Sequence, residues 1–227
     1  MRKLLNISIA VLALLCATSC VNENGSQTTQ VPQVGKVVPM QRFADINIVG
    51  SMQVFYTQGE NHSVRVEAEP KAFERLLIYV KGNELFVTSK ESQQLNIESM
   101  ENVKVYVTSP NLIEVSVTGS GIFTATKKVQ LANLDVELTG SGVVAFDDVL
   151  SCKNLDVELT GSGSVKLAVA VVKKLSTKVT GTGDVNYYNL KAERAESNIS
   201  GTGTITMNGT VGEHIKNITG TGKIVVK

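Results

Sequence analysis

The chain has 227 residues, with 22 lysines and arginines against 21 aspartates and glutamates. That balance leaves no basic excess for a nucleic-acid ligand, and none is expected. Trp is absent, aromatics are 5% and four prolines stand against 19 glycines, which fits a chain of many turns rather than a helical bundle. Two histidines and three cysteines leave little for a metal centre or a His-based catalytic site, so neither metal nor other cofactor is expected.

Arg2 and Lys3 precede a mostly apolar run over residues 4–17, interrupted by Asn6 and Ser8, and then Ala17-Thr18-Ser19-Cys20. A short positive stretch, an apolar stretch and small residues make a secretory signal over residues 1–19. Its end resembles the lipobox of bacterial lipoproteins. That resemblance implies cleavage before Cys20 and acylation of its thiol and new amino group. The membrane then becomes a partner through the anchor, and the protein an outer membrane lipoprotein of the cell envelope, since Val21 gives no retention signal of the Asp type. Residues 20–39 read as a flexible tether, because Asn22 to Gln30 lack apolar periodicity. With Cys16 removed and Cys20 acylated, Cys152 stands alone and no intramolecular disulfide forms.

Residues 40–112 read as a less regular β-rich portion. Ile46-Asn47-Ile48 leads to Gly50-Ser51, and Val54-Phe55-Tyr56 follows. Residues 62–68 alternate in polarity. Pro70–Arg75 fits one helical turn. Residues 76–80 and 85–87 flank Gly82-Asn83 as a hairpin, and residues 103–107 alternate again. This portion is expected to cap the regular structure that follows, whose open ends would otherwise pair with a second copy into a homo-oligomer.

From residue 113 to residue 227 a tripeptide recurs every 19 to 21 residues. Its copies are Gly119-Ser120-Gly121, Gly140-Ser141-Gly142, Gly161-Ser162-Gly163, Gly181-Thr182-Gly183, Gly201-Thr202-Gly203 and Gly220-Thr221-Gly222. Gly50-Ser51 is a degenerate copy. Two residues before each first Gly stand Val117, Leu138, Leu159, Val179, Ile199 and Ile218. Two after each last Gly stand Phe123, Val144, Val165, Val185, Ile205 and Ile224, and two further on Ala125, Phe146, Leu167, Tyr187, Met207 and Val226. This is period-2 alternation with one buried face. The glycines share the inward parity, where the interior has no room for a side chain or the backbone must bend. A period near 20 is too short for helical repeats and lacks the leucine-rich pattern. The fold expected is all-β: a single-stranded, right-handed parallel β-helix, a β-solenoid of ~20 residues per coil with rungs ~4.8 Å apart. The Ser/Thr positions should stack into ladders, which suits strand composition without implying a ligand.

Chemistry is sparse. The serines lie in Gly-Ser-Gly rather than Gly-x-Ser-x-Gly and have no nearby His. His62 and His214 are far apart in sequence and read as solvated. One constellation merits weight: Glu114, Asp135 and Asp156 share a repeat position, and Glu137 and Glu158 share another two residues on. All five should face outward as a stripe with like charges one rung apart, relieved by Lys178 or Lys153. Such a stripe reads as a solvated face, as a ligand or Ca²⁺ row, or as acid/base groups acting on a polysaccharide. The outward rows near it offer Thr and Ser and no aromatic sugar platform. Asp147-Asp148 is a turn and a weaker Ca²⁺ candidate.

The Cys20 signal, the opening with Phe43, Ile46, Gly50-Ser51, Val54 and Gln58-Gly59, and the Val/Leu-Thr-Gly-Ser-Gly ladder resemble the auto-transporter adhesin family with the head GIN domain. The resemblance covers roughly residues 40–227. It implies exported or lipid-anchored proteins of Gram-negative bacteria, a β-helix similar to that of pectin-lyase-like proteins, and adhesion; it supplies no catalytic residues. The expected function is therefore non-catalytic binding of a glycan or cell-surface protein through the β-helix face. A β-helical polysaccharide lyase or hydrolase and a purely structural envelope scaffold are the alternatives.

Overall fold

Alternating apolar and polar residues resolve into sixteen strands and one short helix in the computed structural model, which describes Gly35, residues 37–90, Met100 and residues 102–227. The signal segment, Cys20 and most of the expected tether lie outside the described residues. In chain order the elements are β1 (Val37–Pro39), β2 (Asp45–Gly50), β3 (Gln53–Gln58), β4 (Ser63–Glu67), α1 (Pro70–Arg75), β5 (Leu76–Lys81), β6 (Glu84–Ser89), β7 (Lys104–Ser109), β8 (Glu114–Gly119) and β9 (Ile122–Ala125). Then come β10 (Val129–Gln130), β11 (Asn133–Gly140), β12 (Val143–Gly161), β13 (Ser164–Gly181), β14 (Asp184–Gly201), β15 (Thr204–Gly220) and β16 (Lys223–Val226). The long strands β12 to β15 each bend around a whole coil, so the regular part is a parallel β-solenoid.

Register follows the repeat. Asp135–Gly140 pair with Glu114–Gly119 on one side, and Asn133–Gly140 with Asn154–Gly161 on the other. Val117, Leu138, Leu159 and Val179 are thereby stacked in one column, each at most 1% exposed. Fully burying one such side chain contributes roughly 1.5–3 kcal/mol before ordering entropy is subtracted. Two buried tyrosines keep partners for their hydroxyls inside this dry interior. Tyr187 Oη lies 2.7 Å from Thr177 Oγ1, and Tyr56 Oη donates to the Ser109 carbonyl at 3.2 Å.

The glycines divide two tasks. Gly140 has φ +120°, so the backbone bends there in a region L side chains rarely enter, and an added Cβ would meet the Gly119 carbonyl oxygen at 2.3 Å. Gly163 has no such bend; a Cβ there would meet the Gly142 oxygen at 2.7 Å and a Leu138 methyl at 2.8 Å.

Stacking order departs from chain order at the N-terminal end. β2 lies between β6 and β8, and β3 between β7 and β9, all in parallel. The first coil in sequence is thus enclosed by a coil that comes later. The end beyond it is covered by antiparallel strands, β1 on β4, β4 on β7 and β5 on β6. Gly82, at φ +65°, makes the expected hairpin turn between β5 and β6, and α1 forms over the expected Pro70–Arg75. β1 falls within the stretch read as tether.

The opposite end is uncovered among the described residues. β16 pairs only with Thr204–Met207 of β15, and no described strand covers the outer edge of β15 beyond that. Ile218 keeps its register with Ile199 yet is 46% exposed, and Val226 is 40% exposed, because no further coil stacks on them. The inward expectation for these two fails for want of a neighbour, not through a change of parity.

Candidate functional site

Outward positions of a rung are free of packing constraints, so their chemistry is set by the row they form with adjacent rungs. Glu114, Asp135 and Asp156 are in direct register, and Glu137 and Glu158 form a parallel row two residues on. The stacking order adds two members. Asp45 of β2 pairs with Glu114 on one side and with Glu84 of β6 on the other. The column therefore runs Glu84, Asp45, Glu114, Asp135, Asp156, one carboxylate per rung, and continues through Ser176 to Glu196. Asp45 stands five residues before the degenerate corner Gly50-Ser51, the spacing of Glu114 to Gly119, whereas no corner motif marks Glu84.

Two like charges a rung apart repel by about 0.9 kcal/mol even in bulk water. The structure offsets this locally. Asn47 Nδ2 donates to Glu84 Oε1 at 2.8 Å, Asn83 Nδ2 donates to Asp45 Oδ2 at 3.1 Å, and Lys178 Nζ reaches Glu158 Oε1 at 3.5 Å. Lys153 lines a different groove and makes no ion pair among the described residues. In mid-column the crowding persists. Partial burial, with Glu137, Asp45, Glu84 and Asp135 nearby, holds the Glu114 carboxyl above the ordinary range. Burial, Asp156 and Asp45 do the same for Asp135.

The five predicted carboxylates border a shallow groove of about 160 Å³ with Val136. They project in a line rather than converging: among the described residues no three His, Cys, Asp or Glu side chains form a cluster suited to a metal ion. Asp147 and Asp148 form no separate turn: they lie inside β12 at the register shift between Phe146 and Val149, where Asp148 Oδ1 accepts the Val149 N–H at 2.7 Å.

An aromatic pair stands at the N-terminal end of the rows, where none was expected. Tyr79 and Phe86 stack with ring centroids 4.9 Å apart and an interplanar angle of 8°, and Phe86 pairs with Asn47 beside Asp45 and Glu84. It escapes the repeat because both rings come from the β5–β6 hairpin. A second outward pair, Phe55 and Tyr106, lies on β3 and β7 with the Arg65 guanidinium 3.9 Å from the Tyr106 ring centre. Arg65 also pairs with Glu67, which accepts from Tyr106 Oη at 2.9 Å.

Neither histidine is freely solvated. His62 packs edge-on against Phe43 and its Nε2 lies 3.1 Å from the Phe43 carbonyl. His214 Nε2 lies 2.9 Å from Ser197 Oγ, and burial together with Lys216 lowers its pKa. Cys152 is buried, and burial pushes its thiol up to about 11, so it is a poor nucleophile at neutral pH.

No curated protein matches the chain. Three crystal structures share the fold, each overlapping 85% of this chain and 95% of its own. A putative lipid binding protein from Parabacteroides distasonis ATCC 8503 is 21% identical with a TM-score of 0.68. A putative adhesin from Bacteroides fragilis NCTC 9343 is 19% identical at 0.63, and one from Parabacteroides merdae ATCC 43184 is 17% identical at 0.57. The family model of the putative auto-transporter adhesin, head GIN domain, matches residues 42–227, and the chain belongs to that family.

Proposed function

We propose that the protein is a non-catalytic, lipid-anchored component of the outer membrane that binds a glycan or a cell-surface protein through the outward rows of its solenoid. Membership of an adhesin family supports a surface or envelope role. The lipobox-like Ala17-Thr18-Ser19-Cys20 supports the anchor. The observation that carries the binding reading is the in-register column from Glu84 to Asp156, which ends beside the stacked Tyr79–Phe86 pair. Carboxylates set one per rung present a repeating surface to a long partner. Acid/base cleavage of a polysaccharide instead needs two carboxyls flanking one bond with separate roles.

A glycan array with the purified protein, paired with protease shaving of intact cells, tests this reading. Glycan or cell binding that falls in an Asp135→Asn/Asp156→Asn variant is the expected result. Polysaccharide cleavage by the wild type that the same variant abolishes would replace binding with catalysis.

A further inference from the structure

On another side of the solenoid, a trough runs along the axis from β10 to β15. One wall is the column Gln130, Ser151, Val171, Lys191 and Thr210, paired in register. The floor lies over Cys152, Val172 and Ala192, which are also in register and at most 7% exposed. The other wall is the corner formed by Lys153, Lys173 and Glu193, between residues paired on both sides. The groove has a volume of about 570 Å³.

Its charge is opposite to that of the carboxylate column. Lys153, Lys173 and Lys191 are exposed and line it against a single acid, Glu193. None of the three makes an ion pair among the described residues, whereas nearby Arg194 is held by Glu213 at 3.0 Å. Lys153 and Lys173 stand on adjacent rungs, about 4.8 Å apart along the axis. Unpaired like charges at that spacing are unfavourable until an anion sits between them. Val171, 39% exposed, adds an apolar contact between the cations.

We infer that this trough binds an acidic polysaccharide, whose carboxylates or sulfates fall at intervals along an extended chain and meet one lysine per rung. A flat anionic membrane fits a concave trough less well, because the cations line a groove. A second copy of the protein fits less well too, since its carboxylate column is itself set in a shallow groove and two concave surfaces do not dock. This inference goes beyond the binding reading above: it adds a second face, with its own ligand class, to the carboxylate column that carries that reading.

The test is calorimetric titration of the full-length protein in nonionic detergent with polygalacturonate oligomers at low salt. The triple variant Lys153→Gln/Lys173→Gln/Lys191→Gln should bind roughly tenfold to a hundredfold more weakly, three exposed ion pairs each contributing a factor of about two to five. A control variant with the same charge loss on the N-terminal portion, Lys71→Gln/Lys81→Gln/Lys90→Gln, should bind as the wild type does. An equal loss in both variants would mean diffuse charge attraction and overturn the site. So would absence of polygalacturonate binding, or lysine-dependent preference for phosphatidylglycerol over phosphatidylcholine vesicles without polygalacturonate binding. Should the trough fail while the glycan array still registers a ligand lost on substitution of Asp135 and Asp156, the ligand class falls and the adhesive reading stands.

Discussion

The corner after β2 and the corners of the regular coils carry the same turn on different foundations. Gly50 and Gly140 both bend at positive φ, +126° and +120°. Beneath Gly140 lies another glycine corner, so an added Cβ would strike a carbonyl oxygen; beneath Gly50 the pairing with β6 has ended at Ile48 and Val87, and a Cβ would meet only the Met52 methyl at 3.2 Å. Met52 itself occupies the position where the regular corners have their second glycine, and it is fully buried. The bend therefore requires the first glycine at every corner, while the close stacking of successive corners excludes a side chain from both glycines. A corner with no corner beneath it can fill that space with a side chain.

The largest effect should come from breaking that distinction. Gly140→Ala adds both backbone strain and a clash with rigid backbone and should cost about 3–5 kcal/mol, whereas Gly50→Ala carries strain and a contact with a flexible methionine and should cost about 1–3 kcal/mol. Urea unfolding midpoints measure both. Equal losses would mean that stacking contributes nothing beyond the bend.

The middle and the open end of one apolar column sharpen the same comparison. Leu159 and Ile218 occupy equivalent rung positions, yet Leu159 is covered on both sides and Ile218 is nearly half exposed. Leu159→Ala should destabilise by about 2–5 kcal/mol, the range for a large-to-small change in a packed core. Ile218→Ala should stay within about 1 kcal/mol. A large loss at Ile218 in a dilute monomer would contradict the uncovered end, and a loss that appears only at high protein concentration would show that a second copy covers it.

Most of the solenoid was legible because one constraint, the stacking of Gly-Ser/Thr-Gly corners, is written six times in the chain. Parity then assigned Val117, Leu138 and Leu159 to the interior and Glu114, Asp135 and Asp156 to the surface without reference to any long-range contact. The N-terminal weave was not legible in the same way. Nothing local to Asp45 or Glu84 states that β6 will stack beneath β2, since that order is decided by which surfaces remain open after each coil forms. For the same reason the Tyr79–Phe86 pair was hidden: the hairpin could be read from Gly82-Asn83, but not the row it would extend. The lysine trough depends on residues that meet only when neighbouring coils are superposed: Lys153 and Lys173, 20 residues apart, share the corner position, while Lys191, 18 residues on, stands in the opposite wall in register with Val171.

The smallest effect concerns the carboxylate column and is best read as a difference between variants. Partial burial, and then the neighbouring carboxylates, raise the Glu114 and Asp135 carboxyls in the folded state, so their contribution is fully present below the ordinary carboxylate range and is lost as pH rises through the raised values. Glu67 acts in the opposite sense. Its hydrogen bonds from Arg65 and Tyr106 lower its pKa, and the stability it confers fades as pH falls. The pH profile of the wild type alone therefore mixes two signs. Asp135→Asn isolates one of them, because it removes the repulsion from both neighbouring rungs and leaves Glu67 untouched. It should stabilise the protein by about 0.5–1 kcal/mol at pH 7.5 in low salt, by less at 1 M salt, and by nothing near pH 3, below the raised Asp135 value. A destabilisation at pH 7.5 would mean that Asp135 is held by a favourable partner and that the column is not a row of mutually repelling charges.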